Sequence, residues 1–334
     1  MDTSSHIIIG IGLGALAQID PVVAGTPLSQ AVFFGTVIGS NAPDFDYALK
    51  VKGNSYYYCN HRGWSHSLPA LPLWALAVSG IIYLFFLDSS FFHLFIWTFL
   101  AVALHVLLDL FNVYGTQAFL PFTSKWIAFD AIPLLDPYIL AIHVIGFAII
   151  PFYETGKAFA FIYILLFFYI FMRTTLMNKT KKYLKTYFPN AVHIKLIPKT
   201  GISTWNVLIE TKDDFLFGIY SNQSLMIEYT ISRKVNHPEL VMFIKNDTDI
   251  TNFLASTHYA HPFVTKRKNG YFIYWKDLRF RTNKFFPCFV VTYISSDLNH
   301  KASFTGRLRS LKQYRRILRE LEKAPKSLIR TEVC

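Results

Sequence analysis

Long apolar runs alternate with short polar loops through the first half of the chain. Runs of roughly membrane-spanning length occupy residues 68–87, 91–110, 137–153 and 158–177. A helix needs about 20 apolar residues to cross a bilayer. Two shorter apolar segments, 3–19 and 28–40, come first and contain small residues, which suits either helices half-buried against the spanning ones or a tight transmembrane pair. The pattern predicts an α-helical integral membrane domain of about four spanning helices plus two short N-terminal helices.

The second half follows a different pattern, in which short runs alternate apolar and polar residues between turn residues. The predicted β-strands lie at residues 193–197, 205–210, 216–220, 240–245, 270–275 and 288–294. Alternation of this kind is typical of strands with one buried face. Residues 304–323 are basic and predict a C-terminal helix. We therefore expect a membrane-embedded domain at 1–178 and a small, basic, mainly β soluble domain at 179–334.

Composition supports a membrane location. Apolar residues make up 52% of the chain and charged residues 16%, whereas soluble proteins are about 25% charged. In the short loops, Lys50, Lys52, Arg62 and Lys125 fall on one side of the predicted membrane and Lys157 on the other. Positively charged loops stay on the cytoplasmic side. We therefore expect a multi-pass protein of the cell membrane, that is the plasma or bacterial inner membrane, with both termini cytoplasmic.

The net charge of +12 comes mainly from the tail. Residues 179–185 form a basic cluster next to the last apolar run, of the kind that binds anionic lipid head groups. The tail carries no helix-turn-helix or zinc-finger signature, so its charge favours the membrane surface over nucleic acid as a partner. The widely spaced Cys59, Cys288 and Cys334 predict free thiols and not a disulfide framework.

His105 and Asp109 are the first candidates for chemistry. They are four residues apart at the end of the second long run, so they share one face of a helix. Both are ligand types for zinc and similar cations. An ionisable pair in an apolar segment indicates a functional site, although a polar pair satisfied within a helix bundle has the same pattern.

Several other histidines and aspartates fall on the same predicted face of the membrane. The candidate metal ligands are His6, Asp46, His61, His66, His105 and Asp109, and the candidate catalytic groups are Asp44, His66 and Arg62. Each has a structural alternative: a buried core histidine, a turn-forming aspartate, or loop charge in the case of Arg62. Asp130 and Asp136 are weaker candidates, and Asp136 before Pro137 also suits a helix cap.

The motifs together resemble a known family. Thr3-Ser-Ser-His6, Gly39-Ser-x-x-Pro-Asp44-x-Asp46, His61-Arg-Gly-x-Ser-His66-Ser and His105-x-x-x-Asp109 look like the signature of bacterial membrane-bound metal-dependent hydrolases, the family named after a LexA-regulated inner-membrane member. The β-rich tail resembles its YfhP-type branch. More distantly, the order of motifs is similar to the zinc-dependent phospholipase C and P1 nuclease group. That group also has a later His-x-x-x-Glu pair, which this chain lacks after Asp109.

Two functional hypotheses follow. In the first, the chain is a membrane-bound phosphoesterase-like hydrolase that uses one or two divalent ions, zinc above all, to activate water against a phosphoester at the cytoplasmic face. The site would lie at head-group level, which makes a lipid-like substrate the natural choice. In the second, the chain is a non-catalytic regulator or anchor, with a structural metal and a tail that binds a partner or lipid.

Overall fold

A helical N-terminal part precedes a β-sheet part in this computed structural model, which describes residues 1–87, 89–281, 286–299, 301–308 and 310–323. The helices of the first part are α1 (Thr3–Leu16), α2 (Leu28–Gly39), α3 (Asn54–Asn60), α4 (Ala70–Tyr83), α5 (Phe91–Leu110), α6 (Pro137–Ile149) and α7 (Thr155–Tyr187). Short 3₁₀ segments lie between them, and the longest is Ala42–Lys52. Cys334 falls outside the described residues, and Cys59 and Cys288 are free thiols.

Two of the described helices, α5 and α7, are long and apolar enough to cross a membrane. A third span exists if the segment Asn54–His66 and α4, which meet at a bend of 82°, form one broken crossing. The apolar runs 68–87 and 137–153 yield shorter helices, because α4 ends at Tyr83 and α6 passes into a 3₁₀ turn at Pro151. The number of four spanning helices stays a prediction, as does the domain boundary near residue 178, which lies within α7.

Small residues let the helices approach closely around the site. A Cβ atom on Gly10 of α1 would lie 2.8 Å from the carbonyl oxygen of Thr36 in α2, and one on Gly39 would lie 3.0 Å from the carbonyl oxygen of Thr98 in α5. Neither position has room for a side chain. Because His6 is one helical turn before Gly10, this contact brings its imidazole next to the end of α2.

The C-terminal part contains two antiparallel sheets. The first has the order β1 (His193–Pro198), β2 (Trp205–Glu210), β3 (Asp214–Ser221), β4 (Ser224–Ser232). After α8 (Pro238–Ile244) and α9 (Thr248–Ser256), the second has the order β5 (Ala260–Arg267), β6 (Gly270–Asp277), β7 (Cys288–Ser295), β8 (Lys301–Arg307), and α10 (Leu311–Lys323) follows it. Helices α8 and α9 pack on one face of the second sheet and α10 on the other.

The sheets confirm the β-rich tail, with two local corrections. The run 240–245, predicted as a strand, belongs to helix α8, because Pro238 suits the first turn of a helix and Val241 and Ile244 form a buried helical face. The predicted helix 304–323 begins only at Leu311. Its first residues pair instead with β7, and Phe304 faces the apolar core of that sheet.

Buried contacts fix the β-sheet part over one end of the helices. The guanidinium of Arg173 in α7 is fully buried and donates hydrogen bonds to the carbonyl groups of Ala131, Lys199 and Gly201. The ammonium of Lys195 in β1 lies 2.7 Å from a carboxylate oxygen of Asp130. These contacts hold the loop between α5 and α6 against the sheets, directly beside the candidate site.

Candidate metal centre

Four segments converge at the end of the helical part that faces the sheets. They are the start of α1, the 3₁₀ segment Ala42–Lys52 after α2, the loop before α4, and the last turn of α5. These segments carry all of the candidate ligands and catalytic groups. The structure therefore brings His6, Asp44, Asp46, His61, Arg62, His66, His105 and Asp109 into one cluster.

The inner group consists of Asp44, His66, His105 and Asp109. Each offers one ligand atom, and these atoms all lie within 4.8 Å of one another. His66 Nε2 lies 3.5 Å from Asp109 Oδ2 and 3.5 Å from Asp44 Oδ1. His105 Nε2 lies 3.7 Å from Asp109 Oδ2. All but Asp44 have fully buried side chains, so the group has the ligand types and spacing of a cation site.

Hydrogen bonds on the far side of two histidines fix which nitrogen faces this group. His105 Nδ1 donates to the carbonyl oxygen of Ser40 at 2.6 Å. The Ser65 hydroxyl donates to Asp46 at 2.6 Å, so it accepts from His66 Nδ1 at 2.8 Å. A neutral imidazole carries its proton on one nitrogen. Both Nε2 atoms therefore present lone pairs inward, only 3.2 Å apart.

His6 borders the inner group from α1. Its ring stacks on the ring of His105 with 3.8 Å between centroids, and its Nε2 lies 3.4 Å from Asp109 Oδ1. The side chain is fully buried, yet neither ring nitrogen has a hydrogen-bond partner among the described residues. A buried polar group without a partner costs about 1–3 kcal/mol.

An outer group of Asp44, Asp46 and His61 adjoins the inner one and shares Asp44 with it. His61 Nδ1 lies 2.8 Å from Asp46 Oδ1, and the backbone N–H of Arg62 donates to Asp46 Oδ2 at 3.1 Å. Burial alone would raise the pKa of Asp46, but the hydrogen bond and charge of His61, with help from Ser65, hold it below its ordinary value. Asp46 is therefore a carboxylate at neutral pH and a suitable ligand for a second cation.

Arg62 and Asn112 complete the surroundings of Asp109. Arg62 Nη2 lies 3.0 Å from Asp109 Oδ2, without the alignment of a hydrogen bond, while its Nη1 donates to Asn112 Oδ1 at 2.9 Å. Asn112 Nδ2 in turn donates to Asp109 Oδ1 at 2.9 Å. The amino group of Met1 also contacts Asp109. Partners of this kind orient a ligating carboxylate.

Sequence reasoning missed the positioning roles of Asn112 and Ser65. Asn112 follows Asp109 by three residues, just beyond the end of α5, and that spacing next to a helix end could have identified it. Ser65 precedes His66 directly. Nothing in the spacing shows that its hydroxyl joins His66 to Asp46.

Asp130 and Asp136 lie outside both groups. The side chain of Asp136 accepts hydrogen bonds from the backbone N–H groups of Tyr138 and Ile139 and from the hydroxyl of Tyr169. It is the N-cap of α6, in agreement with the capping alternative. Asp130 is paired with Lys195.

The donor set fits a divalent cation. Among the described residues, Asp44 Oδ1, Asp109 Oδ2 and both nitrogens of His6 are buried without a hydrogen-bond partner. The inward lone pairs of His66 and His105 lie at the same place, 3.2 Å apart. Arg62 and the amino group of Met1 contact Asp109, but the facing lone pairs still repel each other and the buried atoms without partners are costly. A cation among them would remove both penalties. Imidazoles with carboxylates are the ligand combination of zinc and related metals.

Comparisons with known proteins identify the family to which the chain belongs. The family model described as YdjM inner membrane protein matches residues 1–180, and that of the YfhP C-terminal alpha/beta plait domain matches residues 239–318. The uncharacterized protein YfhP of Bacillus subtilis (strain 168) is 36% identical over 312 residues, which cover 92% of this chain and 95% of that protein. No solved structure matches with significance.

These matches confirm the expected YfhP-type membrane family. The likeness to hydrolases of the phospholipase C and P1 nuclease group stays a prediction. The apolar helices α5 and α7 agree with a membrane location. The chain is a membrane protein with a cluster of residues able to bind metal, and it belongs to the YdjM inner membrane protein family, with the YfhP type of C-terminal domain.

Proposed function

We propose that this protein is a membrane-bound, metal-dependent hydrolase that cleaves a phosphoester at the cytoplasmic face of the membrane. The observation that carries this proposal is the convergence of inward imidazole lone pairs and of buried carboxylate oxygens that have no hydrogen-bond partner in the described part of the chain. His66 and His105 face each other with lone pairs 3.2 Å apart, beside buried oxygens of Asp44 and Asp109 that lack hydrogen-bond partners among the described residues.

His66, His105 and Asp109 would hold one divalent ion, with His6 at its edge, and Asp46 and His61 would hold a second. Asp44 lies within reach of both groups and stays free for a catalytic role. We take zinc as the ion because of the imidazole and carboxylate ligands. When bound, such ions supply Lewis-acid chemistry, since they acidify water and offset negative charge on phosphoryl oxygens.

Asp44 suits the role of general base. Its side chain is 22% exposed, whereas those of His66, His105 and Asp109 are fully buried. It is therefore the group of the inner set that can both take a proton from an attacking water and release it to solvent. It belongs to both candidate groups, so a water held between them would lie within its reach.

Arg62 and His66 suit the binding of the phosphoryl group. The guanidinium of Arg62 lies against Asp109 and also lines a cavity next to the cluster. An arginine in this position can donate two parallel hydrogen bonds to phosphoryl oxygens. We propose that Arg62 orients the substrate. His66, whose Nδ1 is engaged by Ser65 and whose Nε2 faces inward, would act on the phosphoryl group through the ion that it helps to hold.

The decisive experiment combines metal analysis of detergent-purified protein with phosphoesterase assays on bis(p-nitrophenyl) phosphate and on detergent-dispersed lipid phosphate. His105→Ala should lose bound metal and more than about 100-fold in activity, since even changes around a ligand cost about 10–100-fold. His93→Ala is the matched control, because His93 lies on the same helix at the opposite end and pairs with Asp20. An active His105→Ala protein, or a wild type that binds no added metal, would refute the proposal.

Orientation and lipid contact belong to the same proposal. We propose a multi-pass arrangement with both termini cytoplasmic. The exposed apolar side chains of Phe161, Phe167, Phe168 and Phe171 on α7 would face lipid, and the basic cluster at residues 179–185 would face anionic head groups. Cysteine substitutions in the loop 111–136 and at Lys50 should react with membrane-impermeant thiol reagents from the same side. Labelling from opposite sides would mean that these segments cannot contribute to one site, and would refute this arrangement.

A further inference from the structure

A cavity of about 290 Å³ lies between the metal centre and the C-terminal domain. His61 and Arg62 belong to both the cavity wall and the metal centre, so the two are continuous. The helical part also contributes Lys50 and Tyr114, while the C-terminal domain contributes Arg279 and Arg307. The volume of the cavity is at the small end for sites that bind small molecules. Such sites are commonly lined by apolar and aromatic groups with a few polar ones.

The charges on the cavity wall do not balance. Two of its cations are already paired, Arg62 with Asp109 and Arg279 with Asp277. The other two, Lys50 and Arg307, have no carboxylate at ion-pair distance among the residues that the structure describes. The Lys50 ammonium lies 4.0 Å from the centre of the Tyr47 ring and 4.9 Å from that of Tyr57. The wall therefore keeps two positive charges available for an anion.

The thiol in this cavity does not suit covalent catalysis. Cys288 also lines it, but burial raises the pKa of this thiol to about 12. The thiol is protonated at neutral pH and is not a nucleophile. Much of the remaining wall is aromatic, and Tyr114 stacks on Phe280 with 4.4 Å between ring centroids. With its cations Lys50 and Arg307 unpaired among the described residues, the cavity suits the binding of an anionic ligand instead.

We propose that the C-terminal domain forms the specificity half of the substrate pocket, where Lys50 and Arg307 bind a second anionic group of the substrate. This inference rests on the proposed function, which places the first phosphoryl group at the metal centre. The substrate class is then a compound with two neighbouring anionic groups, such as a diphosphate. A soluble diphosphate and a lipid diphosphate head group share this chemistry.

The test is binding of methylenediphosphonate, a diphosphate analogue that cannot be hydrolysed at its bridge, to the full-length protein in detergent by calorimetry. Arg307→Gln and Lys50→Gln should each weaken binding by about tenfold or more, as expected for a charged hydrogen bond. Methylphosphonate, with one anionic group, should bind less tightly than the diphosphonate to wild type. Lys266→Gln is the matched control, because Lys266 is an exposed lysine of β5 outside the cavity wall.

Unchanged affinity in both variants, or no binding to wild type, overturns the inference. Because binding is measured without turnover, an inactive protein that still binds the probe through Arg307 refutes only the hydrolase assignment. Competition then separates the two sources. Displacement by inorganic diphosphate identifies a soluble ligand, and displacement only by farnesyl diphosphate in phosphatidylcholine vesicles identifies a lipid head group.

Discussion

Two buried clusters of charge lie on opposite sides of the same cavity, and they differ in how their hydrogen bonds are satisfied. On the side of the C-terminal domain, Asp277 and Arg279 are 3% and 9% exposed. The Arg279 side chain donates to both oxygens of Asp277, at distances down to 2.7 Å, and to the carbonyl oxygen of Val113. On the helical side, His6 and Asp109 are just as buried but keep polar atoms without partners.

The comparison separates a structural ion pair from a ligand site. Burial and charge are similar in the two clusters, so neither property identifies function by itself. A structural pair matches donors to acceptors, because an unmatched buried group costs free energy. The helical cluster instead keeps several buried polar atoms without a hydrogen-bond partner among the described residues, namely Asp44 Oδ1, Asp109 Oδ2 and both nitrogens of His6, a cost that a bound cation would offset.

The largest expected effect is on the satisfied cluster. Arg279→Met leaves Asp277 buried without its partner and frees the loop at Val113, so we expect a loss of about 3–5 kcal/mol in the free energy of unfolding. Arg281→Met is the control. That arginine lies 3.5 Å from Glu228 in a partly exposed ion pair, which contributes at most about 1 kcal/mol. Denaturant unfolding in detergent measures both, and equal losses would contradict the comparison.

The next effect concerns the metal centre. Zinc added to chelator-treated protein should stabilise wild type, by about 2.7 kcal/mol at a free concentration 100 times the dissociation constant. The same addition should leave His105→Ala unchanged, because that variant lacks one inward lone pair. Thermal unfolding with and without zinc measures the shift. A similar shift in His105→Ala would mean that zinc binds elsewhere.

Periodicity and length were enough to predict the helical and β-rich halves, but they could not set the ends of elements. The run 240–245 and residues 304–310 show why. Apolar residues in a short run suit a strand or a helix face equally. Pairing with β7 keeps the start of 304–310 in a strand, and Pro238 begins the helix that contains most of 240–245. Likewise, α4 and α6 stop short of their apolar runs because turns end them.

The candidate site was predictable because topology alone places the ends of α1, α2 and α5 on one face. Its connection to the C-terminal domain was not. Arg279 and Arg307 come from strand ends more than 160 residues after Asp109, as the contact between Arg279 and Val113 illustrates with a separation of 166 residues. No local pattern in the tail distinguishes these arginines from its many other basic residues.

Asn112→Ala should have a smaller effect than loss of a ligand. Asn112 joins Asp109 to Arg62 through two hydrogen bonds of 2.9 Å. The alanine variant therefore keeps every proposed ligand but loses the contacts that orient Asp109. We expect metal affinity or activity to fall by about 10–100-fold. Zinc titration with a competing chelator measures the affinity. A complete loss of zinc binding would show that Asn112 is itself a ligand and not a positioning residue.

The smallest effect has the opposite sign and follows from the same contrast. In metal-free protein, His6→Leu replaces a buried ring without hydrogen-bond partners by an apolar side chain, so stability should rise by about 1 kcal/mol. With zinc present, wild type should regain the advantage. His105→Leu is the counterpart, because it removes a hydrogen bond to the Ser40 carbonyl and should destabilise the metal-free protein. If His6→Leu is instead the more destabilising of the two without metal, the His6 ring has a structural role and its unpartnered nitrogens are not a sign of a cation site.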